Sequence, residues 1–193
     1  MVAAVLIALI LICSILFNAP LEAKANPGLS PNPTKAPWYF SGLQELLLHF
    51  HPLFAVLVIP AVILGLLLLL PYLRYDADTA GVWFASYRGR KTAVVAAVVA
   101  VILTVLYIVA DEYIIDFGAW LPALSPVVSN GLLPAALVMA GIIGFYWWIK
   151  KKHCTTNNEA IQAVFVLLLT AFVILTITGI WFRGQGMALK WPW

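Results

Sequence analysis

The chain has 193 residues, of which 64% are hydrophobic and 10% charged. A water-soluble domain carries roughly 25% charged residues, so a shortfall of this size excludes an ordinary globular protein and makes lipid part of the solvent. The net charge of +3, from 11 Lys and Arg against 8 Asp and Glu, is too small and too scattered for nucleic-acid binding and bears on topology instead.

Five apolar runs approach the length that crosses a hydrocarbon layer of about 30 Å at about 1.5 Å per helical residue. They cover residues 2–17, 53–73, 92–110, 132–149 and 160–182. The expected fold is an all-α integral membrane protein of about five transmembrane helices, with a proline-rich loop at 18–52 and a short interfacial helix within it. The first run is the shortest. Followed by Ala23-Lys24-Ala25, it also has the look of a secretory signal with an A-x-A cleavage site, but no Lys or Arg precedes its apolar core, and a retained helix is the preferred reading. Cys13 and Cys154 lie far apart in unlike settings, which speaks against a disulfide, and there is no C-x-x-C-H for haem attachment and no C-x-x-C pair.

Basic residues near helix ends are kept preferentially in the cytoplasm. Arg74, Arg88, Arg90, Lys91, Lys150, Lys151 and Lys152 fall on one side, and Lys24, Lys35, Arg183 and Lys190 on the other. This division predicts a cytoplasmic N-terminus, an outer loop at 18–52, an outer acidic connection with Asp111, Glu112 and Asp116, and an outer C-terminus, in a bacterial-type cytoplasmic membrane. Arg183-Gly184-Gln185-Gly186 and Trp191-Pro192-Trp193 read as a turn and an interfacial anchor. The mixed charges Arg74, Asp76, Asp78, Arg88, Arg90 and Lys91 read as solvated, orienting residues. Ala136, Ala140 and Gly144, and likewise Ala93 and Ala97, recur every four residues as candidate helix-packing faces. Pro60 and Pro71 are expected to kink or end the second span.

Pro20, Pro27, Pro31, Pro33 and Pro37 break any helix ahead of Trp38-Tyr39-Phe40, and residues 41–48 then read as a short amphipathic helix. The run Asn32-Pro33-Thr34-Lys35-Ala36-Pro37-Trp38-Tyr39-Phe40 resembles the P-E-W-Y-F region in the C-terminal portion of cytochrome b, the family that includes the separate subunit IV of split cytochrome bc-type complexes. Ala36 and Pro37 stand where the family has proline and glutamate, whereas Trp38, Tyr39 and Phe40 keep the residues that follow. The resemblance covers residues 1–110, three spans with their connections, and leaves 111–193 as two additional helices with an outer tail.

The resemblance implies a quinol–cytochrome c oxidoreductase in which this motif lines the outer quinol-oxidation site. One electron of the quinol passes to a Rieske iron–sulfur protein, the other to low-potential haem b, and protons leave on the outer side. Pro37, Trp38, Tyr39 and Phe40 would then bind quinol. Pro37 lacks the family's titratable group, so Glu45, on the short helix, is the candidate proton acceptor, with a pKa raised by partial burial; Tyr39 is the second candidate catalytic residue. Glu45 as a water-facing interfacial residue and Tyr39 as a membrane-belt tyrosine are the competing readings. The family's haems need paired histidines from facing helices, and His49, His51 and His153 all lie outside the expected spans, so this chain ligates no metal. An imidazole at His49 or His51 would suit proton release, with a simple interfacial residue as the preferred reading. Haem b and the Rieske cluster belong to partners: a haem-carrying N-terminal cytochrome b subunit, a Rieske-type protein and a cytochrome c subunit, in a dimeric complex that binds no nucleic acid. Other classes compatible with the composition are a quinol-reactive membrane anchor of another oxidoreductase and a non-catalytic assembly or transport subunit.

Overall fold

The computed structural model describes residues 2–16, 28, 34–72, 83–84, 86–153 and 156–191. The loop prolines Pro20, Pro27, Pro31 and Pro33, the Ala23-Lys24-Ala25 site, Asn32, Arg74, Asp76, Asp78, Cys154, Pro192 and Trp193 lie outside the described residues. Residues 1–32 and 33–193 form two separate compact units. The first contains helix α1 (Val2–Leu16), whose 15 residues span about 22 Å, short of a full crossing.

The second unit holds the rest of an all-α membrane protein. A short helix α2 (Ser41–His49) precedes four helices long and apolar enough to cross a membrane: α3 (Phe54–Tyr72), α4 (Tyr87–Tyr113), α6 (Val128–His153) and α7 (Asn157–Phe182). A single turn, α5 (Phe117–Trp120), lies between α4 and α6. Helices α4 and α6 extend beyond the expected apolar runs at both ends, and α7 at its start, into polar flanks. Ser86 caps α4 by accepting a bond from the Gly89 amide, Thr156 caps α7 by accepting from Glu159, and Lys150–Lys152 and His153 sit in the last turn of α6, where its negative dipole end favours cations.

Two apolar clusters hold the unit together. Phe84, Ala96, Ala100, Phe145, Ile149, Ala160, Ala163 and Leu167 join α4, α6 and α7. Phe50, Phe54 and Ala55, with Tyr107 and Ala135 against them, join the end of α2 to α3, α4 and α6. The face of α4 that is buried runs through Thr92, Ala96 and Ala100, one register away from the expected Ala93/Ala97 pair, which is only half-buried. Ala136, Ala140 and Gly144 on α6 are exposed, and a Cβ built on Gly144 meets nothing within 4 Å. Beyond its first turns, α3 has no buried residue.

Three of the long helices widen into π-type turns at the end where α2 lies: Phe54–Val58, Val128–Leu132 and Thr178–Phe182. The first two immediately precede Pro60 and Pro134. A proline has no amide to give to the carbonyl four residues back, so the preceding turn bonds five residues apart instead, as in the Ile59 amide bond to the Phe54 carbonyl. Pro60 thus marks a wide turn near the start of its span, and Pro71 falls in the 3₁₀ turn that ends it.

Two glycines let α2 approach closely. A Cβ on Gly42 would meet Thr176 Oγ1 at 2.5 Å and the Phe172 ring at 3.0 Å, and one on Gly179 would meet the Ser41 carbonyl oxygen at 2.8 Å. Because the obstacle at Gly179 is backbone, Gly179→Ala is expected to push α2 off α7 and cost about 1–3 kcal/mol. Thermal unfolding of the purified protein checks this, with Gly144→Ala, whose Cβ meets nothing within 4 Å, expected to be neutral or slightly stabilising.

Candidate functional site

The α2 end of the second unit carries two features: a bare aromatic turn and a buried cluster of ionisable groups. The turn runs from Pro37 to Phe40, just ahead of α2. The Phe40 amide bonds the Pro37 carbonyl at 2.8 Å, and the Ser41 hydroxyl bonds the same carbonyl at 3.2 Å. Gln44 reaches back from α2 to fix the extended residues before it, accepting from the Ala36 amide at 2.7 Å and donating to the Thr34 carbonyl at 2.7 Å. Trp38, Tyr39 and Phe40 project from this turn and are 71%, 58% and 52% exposed. Their rings touch in sequence, Trp38 edge-on to Tyr39 and Tyr39 tilted against Phe40, with centroids 5.7 and 5.0 Å apart. Such an exposed aromatic ledge offers apolar surface to a ring-shaped ligand or to a neighbouring polypeptide.

The ionisable cluster lies about 8 Å further along α2, measured by the helical rise from Phe40 to Glu45. Glu45 and His49 are one turn apart and face the same way. Asp111 and Glu112 come from the last turn of α4, and Arg183 follows the end of α7. Arg183 holds both Glu45 carboxylate oxygens: Nη2 is 2.6 Å from Oε1, and Nε is 3.1 and 3.0 Å from Oε1 and Oε2. Its Nη1 reaches Glu112 Oε2 at 2.7 Å and the Met187 carbonyl at 2.9 Å. His49 bridges the acids, with Nε2 3.2 Å from Glu45 Oε1 and Nδ1 2.6 Å from Asp111 Oδ2. Tyr107, one turn before Asp111, lays its ring edge-on to His49 at 5.6 Å. Its hydroxyl is buried with no hydrogen-bond partner among the described residues.

The chain after α7 closes over this cluster. Arg183 pairs with Leu189 in a short antiparallel bridge, and the Gly184 amide bonds the Ala188 carbonyl at 3.0 Å. The turn between them needs left-handed backbone at Gly186 (φ 69°) and Met187 (φ 57°). Glycine adopts this freely; Met187 is held there with its side chain buried and its carbonyl bonded to Arg183.

Glu45 is completely buried. Burial alone raises a carboxyl pKa, but here the hydrogen bonds from His49 and Arg183 and their positive charges outweigh it, and the pKa falls below 4.5. The raised pKa expected from the sequence is therefore reversed: Glu45 is an anion locked by a guanidinium. His49 is the opposite case. Burial lowers it, yet the bonds to Asp111 and Glu45 and their charge prevail, and its pKa rises above 6.5.

Sequence reasoning put Glu45 on a short helix that follows the loop with Trp38, Tyr39 and Phe40, and the structure has that helix at Ser41–His49. It took His49 for an interfacial residue, whereas His49 is buried between two acids; Arg183 for part of a surface turn, whereas it is buried against Glu45; and Asp111 and Glu112 for a loop, whereas they end a helix. His51 remains apart from the cluster, half-buried, with its Nδ1 accepting from the Leu53 amide at 3.3 Å. Asp116 caps α5 by accepting from the Ala119 amide at 2.9 Å. The missed signal was the i,i+4 pair Glu45/His49 on a helix otherwise rich in leucine, which marks a polar stripe with an ionic partner elsewhere. Among the described residues no group of three or more His, Cys, Asp or Glu is arranged to hold a metal ion. No protein-family model, no curated protein and no solved structure matches this chain.

Proposed function

We propose that the chain is a haem-free subunit similar to the C-terminal portion of cytochrome b, and that it forms part of the outer quinol-oxidation site of a quinol–cytochrome c oxidoreductase in a bacterial-type cytoplasmic membrane. The observation that carries this reading is the Asn32–Phe40 run: its Trp38-Tyr39-Phe40 ledge is exposed and leads into the short helix that bears Glu45 and His49. Quinol oxidation releases two electrons and two protons. The electrons pass to redox centres on partners, a haem b-carrying cytochrome b subunit and a Rieske-type iron–sulfur protein, with a cytochrome c subunit downstream. This chain contributes the aromatic wall from Pro37 to Phe40, the Tyr39 hydroxyl as a hydrogen-bond partner for the quinol, and a polar outlet for protons. It works within a dimeric complex and is inactive alone. The bare flank of α3 and the exposed Ala136/Ala140/Gly144 face suit a chain made to stand among other membrane helices.

Purification of the tagged chain from its native membrane tests the assignment. A haem b spectrum and a Rieske-type iron–sulfur signal in the same fraction are expected; a fraction with neither overturns it. In that complex Trp38→Ala is expected to lower kcat/KM for quinol by about tenfold, the loss of one aromatic packing contact worth about 1.4 kcal/mol. Tyr39→Phe isolates the hydroxyl, and unchanged quinol oxidation would confine Tyr39 to packing.

A further inference from the structure

We propose that His49 is a proton-carrying site: one proton rides on its imidazole between Glu45 and Asp111 and leaves to water by way of Asp111. The ground is hydrogen-bond valence. A neutral imidazole has one N–H and one lone pair, and an ionised carboxylate only accepts. Both ring nitrogens here face carboxylate oxygens, Nε2 towards Glu45 at 3.2 Å and Nδ1 towards Asp111 at 2.6 Å. A neutral ring between two ionised acids would set a nitrogen lone pair against an oxygen lone pair. The geometry therefore accommodates one more proton than that state has, on the ring or on one of the acids.

The neighbours decide where it goes. The groups facing His49 are Glu45 on its own helix, Tyr107 and Asp111 on α4 and, through the shared carboxylate of Glu45, Arg183 after α7 with Glu112 beyond it. Arg183 meets both Glu45 oxygens with charge-assisted contacts of 2.6–3.1 Å and keeps it ionised. The mobile proton is left to the pair His49 and Asp111. The side chain of His49 is 2% exposed and that of Asp111 is 21% exposed, so the pair has a buried end and a partly exposed end. Three carboxylates against one guanidinium and one imidazolium leave the cluster at −1 when loaded and −2 when empty, a difference that favours reloading after each release.

In the transfer step the N–H bond at Nδ1 breaks as an O–H bond forms on Asp111 Oδ2. The ring becomes neutral, with its remaining proton on Nε2 donated to Glu45, and Asp111 then passes its proton to water. No electron moves. The source of the proton in the assembled complex is the quinol hydroxyl; this extension rests on the function proposed above, and the proton-holding geometry does not.

Nitrogen NMR of the full chain in lipid bilayers, with labelled histidine, reads the site directly. At about pH 7.5 an ordinary histidine is roughly nine-tenths neutral. His49, assigned by its loss in His49→Gln, is expected to give an imidazolium signal at that pH, to become neutral in Asp111→Asn, and to be unaffected by His51→Gln. A neutral His49 in the unaltered protein overturns the proposal. In the complete complex, Asp111→Asn is expected to slow quinol oxidation by about 100-fold and to shift its pH profile, with His51→Gln as the control; full activity in Asp111→Asn overturns the outlet. Should His49→Gln fail to assemble, Asp111→Asn supplies both readings. An imidazolium in a complex that oxidises no quinol removes the functional assignment and leaves the proton site standing.

Discussion

Replacing Arg183 with methionine is expected to destabilise the protein by about 3–5 kcal/mol, the usual loss when one member of a buried ion pair is removed and its partner is left charged. Glu45 would lose every bond it receives from the guanidinium and keep only His49, in a position with no access to water. Met187 and Glu112 would lose their bonds to Arg183 as well, and the terminal turn that closes over the cluster would open. Thermal unfolding of the purified protein in a mild detergent measures the loss. The double variant Arg183→Met with Glu45→Met separates charge from packing. A buried pair exchanged for well-packed apolar side chains is often neutral, so the double variant is expected to recover most of the stability that the single one loses. A single variant that unfolds within about 1 kcal/mol of the unaltered protein would mean that the pair behaves as an exposed surface bridge.

Stability against pH should show a plateau with a fall on each side. Glu45 has a folded pKa below 4.5, so its contribution is complete above 4.5 and is lost as the pH drops through the folded value. His49 has a folded pKa above 6.5, so its contribution is complete below 6.5 and is lost as the pH climbs through the folded value. The maximum is expected between those limits. Each unit of separation between folded and unfolded pKa corresponds to about 1.4 kcal/mol. Unfolding measured across pH in the unaltered protein and in His49→Gln checks the assignment: the substitution should abolish the alkaline fall attributed to His49. An alkaline fall that survives His49→Gln unchanged would place its origin elsewhere.

The long helices were legible because bilayer thickness imposes a minimum apolar run, and residues 53–73, 92–110, 132–149 and 160–182 each meet it or nearly do. The short helix was legible because five prolines end before Ser41 and the amphipathic run 41–48 follows. The packing faces were not. In a water-soluble protein a small or apolar stripe marks the buried side, but a membrane helix is apolar on its lipid side too, so Ala136/Ala140/Gly144 and Thr92/Ala96/Ala100 look alike in sequence though only the second is covered. The ionisable cluster was illegible for a different reason. Glu45 and Arg183 are 138 residues apart, and no periodicity joins a short surface helix to the residue after the last span. Arg183 carried a plausible meaning as a topological charge, and that meaning concealed its burial.

The position of Arg183 in the chain also sets an order of events during synthesis. A ribosome works from N- to C-terminus, so Glu45, Asp111 and Glu112 are made long before the cation that neutralises them. Until the seventh helix has been threaded and its following turn has folded back, the nascent chain holds three acids with a single histidine among them. A prematurely terminated product ending at Phe182 would keep every apolar span and still lack its counter-ion, so quality control that senses unbalanced charge at the membrane edge would recognise it as unfinished.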